Sequence, residues 1–346
     1  MFMHKKNVFV SLLFALLFVG TSMAADVQLR PDHPDRYVVV KGDTLWDISA
    51  RFLKDPWLWP DIWYANPQIK NPHLIYPGDV VTLVYVGGKP RIMIQRGHPE
   101  VKLTPHGRIE PLAKAIPTIP LDAIRPFLSR SLVLSEDDLK TAPYVVAAAG
   151  EHIAVGADER IYVRKITAAQ PSRFTVVRPG GAYKDPKTGE VLGYEGLYLG
   201  DALLQRTGDP ATLKLLRTEK EVIAGDRVVP ASDEAFTANF FPKAPSKTID
   251  GDIIAVLGGV SQIGQNQVVV IDRGARDGLE VGDVLAVYQR GQVIPDVVTE
   301  KRNDTVKLPD ERAGELMVFR TFDKVSYGLI MRATTAMHVL DLVRNP

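Results

Sequence analysis

The sequence predicts a multidomain chain: a small α+β unit in the order strand, helix, helix, strand (βααβ), followed by mainly-β small domains. Three observations predict it. Residues 37–84 begin and end on strand-forming runs and place two short helical patterns between them. From about residue 144 onward, strand-like runs recur between Gly, Pro and Asp turn signals. The chain has 346 residues, 45% of them hydrophobic and 24% charged, enough for two or three cores and too apolar for a disordered tether.

The first 24 residues read as a secretion signal. His4, Lys5 and Lys6 give a basic start, and Val8 to Val19 is apolar apart from Ser11. Ser22-Met23-Ala24 then supplies the small residues of a cleavage site, so the mature protein is expected to begin at Ala25. The apolar run stops at Gly20, short of the roughly 20 residues a spanning helix needs. The mature form is therefore expected outside the cytoplasm, periplasmic or wall-associated, with no membrane span. Loss of Lys5 and Lys6 turns a formal charge of +1 slightly negative, which points neither to nucleic acid nor to an anionic surface. The chain has no cysteine, which excludes disulfides, thiolate metal sites, a cysteine nucleophile and lipid attachment at a cysteine.

Asp26 to Arg36, with Pro31 and Pro34, reads as a linker. Tyr37-Val38-Val39-Val40 is strand-like, and Gly42-Asp43 makes a tight turn. Thr44 can cap a helix, with Asp47 three residues on as a variant capping box. Leu45, Ile48 and Phe52 follow at helical spacing. Asp55-Pro56 breaks that helix, and Pro60 suits the first position of a second one, running to about Ala65. Asn66-Pro67 stops it, because the residue before proline avoids helical angles. Tyr76-Pro77-Gly78-Asp79 is a turn, and Val80 to Leu83 the closing strand. Trp46, Trp57, Trp59 and Trp63 are expected mostly in the core, since so small a domain has little else to build one from.

This segment resembles a LysM domain. The matching residues are Tyr37 to Ser49 at the front, then Trp63-Tyr64-Ala65-Asn66-Pro67-Gln68-Ile69, Asn71-Pro72 and Leu74 to Asp79 at the back. The Trp57-Leu58-Trp59 connector is its one oddity. The resemblance implies binding of N-acetylglucosamine-containing glycan, in bacteria peptidoglycan. It places the sugar in a shallow groove with Gly42, Asp43, Thr44 and Leu45 on one side and Asn66, Pro67, Ile69 and Ile75 on the other. Acetamido groups need backbone donors and acceptors plus an apolar contact for the methyl, and these residue types supply both. Taken singly, Gly42 also serves as a turn, Thr44 as a cap and Asn66 as a helix stop.

Residues 85–143 read as a proline-rich connecting region, with Gly87-Gly88 at its start, short strands near Arg91–Gln95 and a brief helix near Leu121–Phe127. Lys89, Arg91, Arg96, Lys102, Arg108 and Lys114 outnumber Glu100 and Glu110 there, a pattern of a solvated surface first and of contact with anionic polymer second. Beyond it, residues 144–231 and 250–346 are expected to be two related β-domains. Gly196-Leu197-Tyr198-Leu199-Gly200-Asp201 matches Gly278-Leu279-Glu280-Val281-Gly282-Asp283, and Arg217…Asp226 matches Arg332…Asp341. Residues 231–250 would hinge the two copies. Gly274 to Leu285, with Ala313 to Val318 and Val325 to Leu329, is similar to the small β-barrel of flagellar assembly protein T, which makes these domains barrel-like.

No catalytic arrangement is recognisable. His4, His33, His73, His98, His106, His152 and His338 form no zinc-peptidase pair, and there is no Ser-x-x-Lys, Gly-x-Ser-x-Gly or phosphate loop. Asp252, Asp272 and Asp277 lack the spacing of a calcium loop. No metal or cofactor is expected. The expected function is therefore a non-catalytic envelope scaffold: the first domain holds peptidoglycan, and the β-domains contact an envelope protein through sheet edges open to strand addition. The alternative is a cell-wall hydrolase whose active site lies unrecognised in residues 89–346, since a carboxylate pair needs no sequence spacing.

Overall fold

The computed structural model describes residues 27–63, 74–96, 115–129, 132–150, 152–167, 172–231, 240–258, 262–299 and 303–346. The expected leader and its cleavage site at Ala24 lie outside them. No helix among the described residues is long and apolar enough to cross a membrane.

The N-terminal unit has β1 (Arg36–Val38), α1 (Leu45–Phe52), a 3-10 turn (Pro56–Leu58), α2 (Trp59–Ile62) and β2 (Val80–Val86). β1 pairs antiparallel with β2, and the sheet then gains β3 (Lys89–Gln95) through a tight hairpin. Gly87 and Gly88, both at positive φ, form that turn, which joins the closing strand to β3. The core comprises Leu45, Ile48 and Phe52 from α1, Ile62 from α2, and Trp46, Trp57 and Trp59, all buried.

The connecting region packs wherever it is described. Ile116 and Ile119 are buried, as is Ile124 on α3 (Leu121–Ser129). Arg320, far along the chain, donates from Nη1 to the carbonyls of Phe127 and Leu128 at 3.1 Å each, satisfying acceptors that the end of α3 leaves open. β4 (Leu132–Leu134) and α4 (Glu136–Thr141) follow, the latter opened by a capping box between Ser135 and Asp138.

Two six-stranded barrels complete the chain. The first contains β5 (Tyr144–Ala148), β6 (Ala154–Val155), β7 (Arg160–Arg164), β8 (Arg173–Lys184), β9 (Val191–Arg206), β10 (Ala211–Thr218), β11 (Val222–Ile223) and β12 (Arg227–Pro230). The second contains β13 (Asp250–Leu257), β14 (Gln262–Ile263), β15 (Val268–Ile271), β16 (Val284–Gln289), β17 (Val293–Pro295), β18 (Thr305–Lys307), β19 (Glu311–Thr321), β20 (Ser326–Ala333), β21 (Met337–His338) and β22 (Leu342–Arg344). The ring order is β5-β7-β10-β9-β8-β12 in the first and β13-β15-β20-β19-β16-β22 in the second, with β6–β11 and β14–β21 as matching two-stranded clips. Strand for strand, the connectivity is the same.

The corners match in chemistry too. Ile223 N donates to Asp226 Oδ2 at 2.8 Å, and His338 N to Asp341 Oδ2 at 2.7 Å. Gly156 N donates to Glu159 Oε2 and Gly264 N to Gln267 Oε1, both at 2.7 Å. The expected match of Arg217…Asp226 with Arg332…Asp341 is therefore a true equivalence. The expected match of the Gly-Leu-x-x-Gly-Asp segments is not. Gly196 to Leu203 lies within β9, whereas Gly278 to Leu285 forms a turn and opens β16, the counterpart of β8. The counterpart of Gly200 is Gly314: a Cβ on either would overlap the facing carbonyl oxygen, of Arg217 or Arg332. The repeated dipeptide serves two purposes, since Asp283 accepts from Glu280 N in a turn while Asp201 pairs with Arg217 across strands.

Two further expectations are corrected. Residues 240–250 do not behave as a hinge: Phe240 is buried, Lys243 exchanges backbone bonds with Gly282 and Val284, and Phe241 meets Trp59 with ring centroids 6.0 Å apart. Barrel closure also removes most of the open edges that strand addition would use, leaving the β17–β18 ribbon outside the ring. The barrels meet through the long β8–β9 hairpin. Near its tip Glu190 pairs with Arg276 at 3.0 Å and Lys324 at 2.7 Å, which together draw its carboxyl pKa down to about 2. A single apolar cluster runs from the N-terminal unit through Ile119 and Ile124 to Tyr183, Phe240, Phe319 and Tyr327.

Candidate glycan-binding groove

The first wall is fixed by a turn that uses its own side chains. Gly42 takes φ +101°, a conformation open to glycine at little cost. Asp43 Oδ2 accepts from Val40 N at 2.9 Å and from the Tyr37 hydroxyl at 3.0 Å. Burial, reinforced by that bond to Asp43, raises the Tyr37 phenol above its ordinary pKa. Thr44 is the N-cap of α1. Its Oγ1 accepts from Asp47 N at 3.1 Å, the cap its position predicts, and donates to Asp47 Oδ2 at 2.7 Å in place of the backbone bond that would complete a capping box.

The second wall is the Tyr76-Pro77-Gly78-Asp79 turn. Asp79 N donates to Tyr76 O at 3.0 Å, and Tyr76 N to Asp79 Oδ2 at 3.1 Å. Arg96, at the end of β3, pairs with the buried Asp79 at 2.7 Å and donates to Leu74 O at 2.8 Å. The walls are tied together by Gly78 N to Val39 O and Val39 N to Asp79 O, both 2.8 Å.

The structure brings Gly42, Asp43, Thr44 and Leu45 to one side and Ile75 to the other. Asn66, Pro67 and Ile69 lie outside the described residues. Gly42 is exposed and Asp43 half-buried, while Thr44, Leu45 and Ile75 are buried. What buries them is a segment that periodicity did not flag. Residues 115–119 cross the groove: Ile116 N donates to Ile75 O at 2.8 Å, Leu45 N to Pro117 O at 3.0 Å and Trp46 N to Thr118 O at 3.1 Å. Its sequence signal is local, two isoleucines each followed within the run by proline, which holds Ile116 and Ile119 extended.

The acids considered for calcium do not converge. Asp252 and Asp272 are neighbours in barrel two, with Asp252 N donating to Asp272 Oδ1 at 2.7 Å, but Asp277 caps its own turn through Gly274 N. No group of three or more His, Asp or Glu among the described residues is placed to hold a metal.

The model of the LysM domain family matches residues 37–84. A curated relative, described as an uncharacterized protein, YqbP, of Bacillus subtilis (strain 168), is 40% identical over 55 residues. That likeness covers 13% of this chain and 25% of the relative, so the chain spans about a quarter of the relative's length. Residues 37–84 are a LysM domain, a module for peptidoglycan-type glycans.

Proposed function

We propose that this protein is a non-catalytic scaffold of the cell envelope, which holds peptidoglycan through its LysM groove and contacts another envelope protein through its barrels. The observation that carries the reading is the groove itself, in which Gly42–Leu45 and Ile75 face each other across residues 115–119, with the Leu45 and Trp46 amides, the Ile75 carbonyl and apolar walls directed at whatever lies between them. An acetamido group needs those three things. The contacts are uncharged, so salt should matter little. One shallow groove should bind weakly, in the roughly micromolar to millimolar range.

The barrels' share in the scaffold rests on the β17–β18 ribbon. Val293 is 63% exposed on β17, and Val297 and Val298 beyond it are 92% and 88% exposed. Exposed apolar side chains grouped on one projection mark a contact surface for protein.

The test is co-sedimentation of the full chain with purified sacculi, competed by soluble N-acetylglucosamine oligomers, with released muropeptides assayed alongside. Sedimentation that the oligomers reverse, without muropeptide release, is the expected result. Release of soluble muropeptides would replace the scaffold with a hydrolase.

A further inference from the structure

The segment at residues 115–119 contacts the groove in the manner of a ligand. A peptide and an N-acetyl group share one functional unit, the secondary amide, with one N–H and one carbonyl oxygen beside an apolar substituent. The segment turns its carbonyls to one wall and an N–H to the other. Its carbonyls at Pro117 and Thr118 take the N–H groups of Leu45 and Trp46, and its Ile116 N–H goes to the carbonyl of Ile75. Ile116 and Ile119 supply the apolar part and are 4% and 0% exposed.

Resting on the glycan reading of the groove, we propose that residues 115–119 are an intramolecular strap that occupies the LysM groove in place of an acetamido group, so that glycan binds only when the strap leaves. The competition is strict because of valence. Leu45 and Trp46 are the first two residues of α1, whose N–H groups have no partner within the helix. Each carries one hydrogen. A sugar carbonyl can accept from either only after Pro117 O or Thr118 O has let go.

The strap also carries a built-in weakness. Thr118 is 1% exposed, and its Oγ1 is buried without a hydrogen-bond partner among the described residues. An unsatisfied buried hydroxyl disfavours the closed state. The strap thus closes the groove on backbone bonds and two isoleucines, and opening it frees that hydroxyl to water. A strap closed nine-tenths of the time lowers apparent glycan affinity about tenfold.

Two measurements on the full chain decide the matter. The first uses wild type and hydrogen exchange, with N-acetylglucosamine oligomers as the probe. Bound oligomer should speed exchange at the Ile116 amide by about tenfold or more, while Leu45 and Trp46 stay protected by their new acceptors. Oligomer binding that leaves Ile116 protection unchanged overturns the strap. The second combines Ile116→Ser with Ile119→Ser, which removes the apolar anchors and leaves the groove residues intact. Affinity for sacculi should rise about tenfold in a chain whose near-UV spectrum shows it folded. Equal binding by variant and wild type overturns the strap and leaves the glycan reading standing. A folded variant and a wild type that both fail to bind overturn the glycan reading, and the strap with it.

Discussion

The two barrels have one connectivity and put it to different uses. Their corners are interchangeable: Asp226 and Asp341 each accept from the clip strand at the same turn, and Gly200 and Gly314 each let a strand back onto a facing carbonyl. They differ in the connection between equivalent strands. In barrel one, β8 and β9 continue into a hairpin that lies on its neighbour and pins it with Glu190. In barrel two, the matching connection from β16 to β19 becomes the β17–β18 ribbon, whose apolar side chains stay exposed. They differ again in buried charge: barrel two buries Asp252, Asp272, Asp283 and Glu315 besides its corner Asp341, whereas barrel one buries Asp185 besides its corner Asp226. Corner chemistry sets which strands pair, while insertions and buried charge are free to diverge.

The sharpest test of that equivalence is at the glycines. Gly314→Val and Gly200→Val should each destabilise their own barrel by about 4 kcal/mol or more, because a rigid carbonyl, not a side chain, occupies the space. Calorimetry should show one transition lost and the other kept; equal tolerance of valine at either position would break the equivalence.

The buried acids predict a loss of stability with rising pH in barrel two. Burial pushes Asp272 up to about 6, against the pull of the Asp252 amide and Arg273. Its folded form keeps a proton that the unfolded chain has released, so stability falls as pH rises from about 4 through 6. A shift of that size corresponds to about 3 kcal/mol. Burial likewise raises Asp283 and Glu315, which act with the same sign. Asp272→Asn, which keeps an acceptor for the Asp252 amide, should flatten the pH dependence of barrel two and leave barrel one unchanged. Thermal melts from pH 4 to 8 would read it.

Removing the corner carboxylates should cost less. Asp226→Ala is expected to destabilise barrel one by about 2 kcal/mol, and Asp341→Ala to cost barrel two somewhat less. The difference arises because, beyond the clip-strand amide each accepts, Asp226 holds the Arg178 guanidinium at 2.8 Å and Asp341 the backbone N–H of Arg290. Denaturant midpoints would rank the two, and a larger loss at Asp341 would contradict the assigned pairing. The smallest effect belongs to Glu190→Gln. Both its ion pairs are exposed, so calorimetry should show both barrels' melting transitions essentially where they were.

The LysM unit was legible because its signals are local. A cap, a proline stop at Pro56 and two glycine turns lie within a few residues of what they control, and Thr44 caps α1 through Asp47 N. The groove was legible on one wall and hidden in its contents, because residues 115–119 reach it from beyond the domain and carry no periodicity. The barrels' duplication was legible in the arginine-to-aspartate ending, where Asp226 and Asp341 each have a corner to hold. It was misread at Gly-Asp, a dipeptide that any tight turn can use. The expected hinge failed for a similar reason: proline near 242 and 245 marks extended chain, and extended chain can lie along a barrel as readily as swing free.

The guanidinium of Arg320 has a mechanical consequence. Along the chain, the LysM unit connects to barrel one through residues 96–143. In space that connecting region is also fastened to barrel two, by Arg320 on the end of α3, and Phe241, just ahead of barrel two, lies against Trp59 of the LysM unit. A pull on a wall-bound groove would therefore divide between two routes, and the shorter one bypasses the first barrel. Tension from the wall would load an interface as well as a tether.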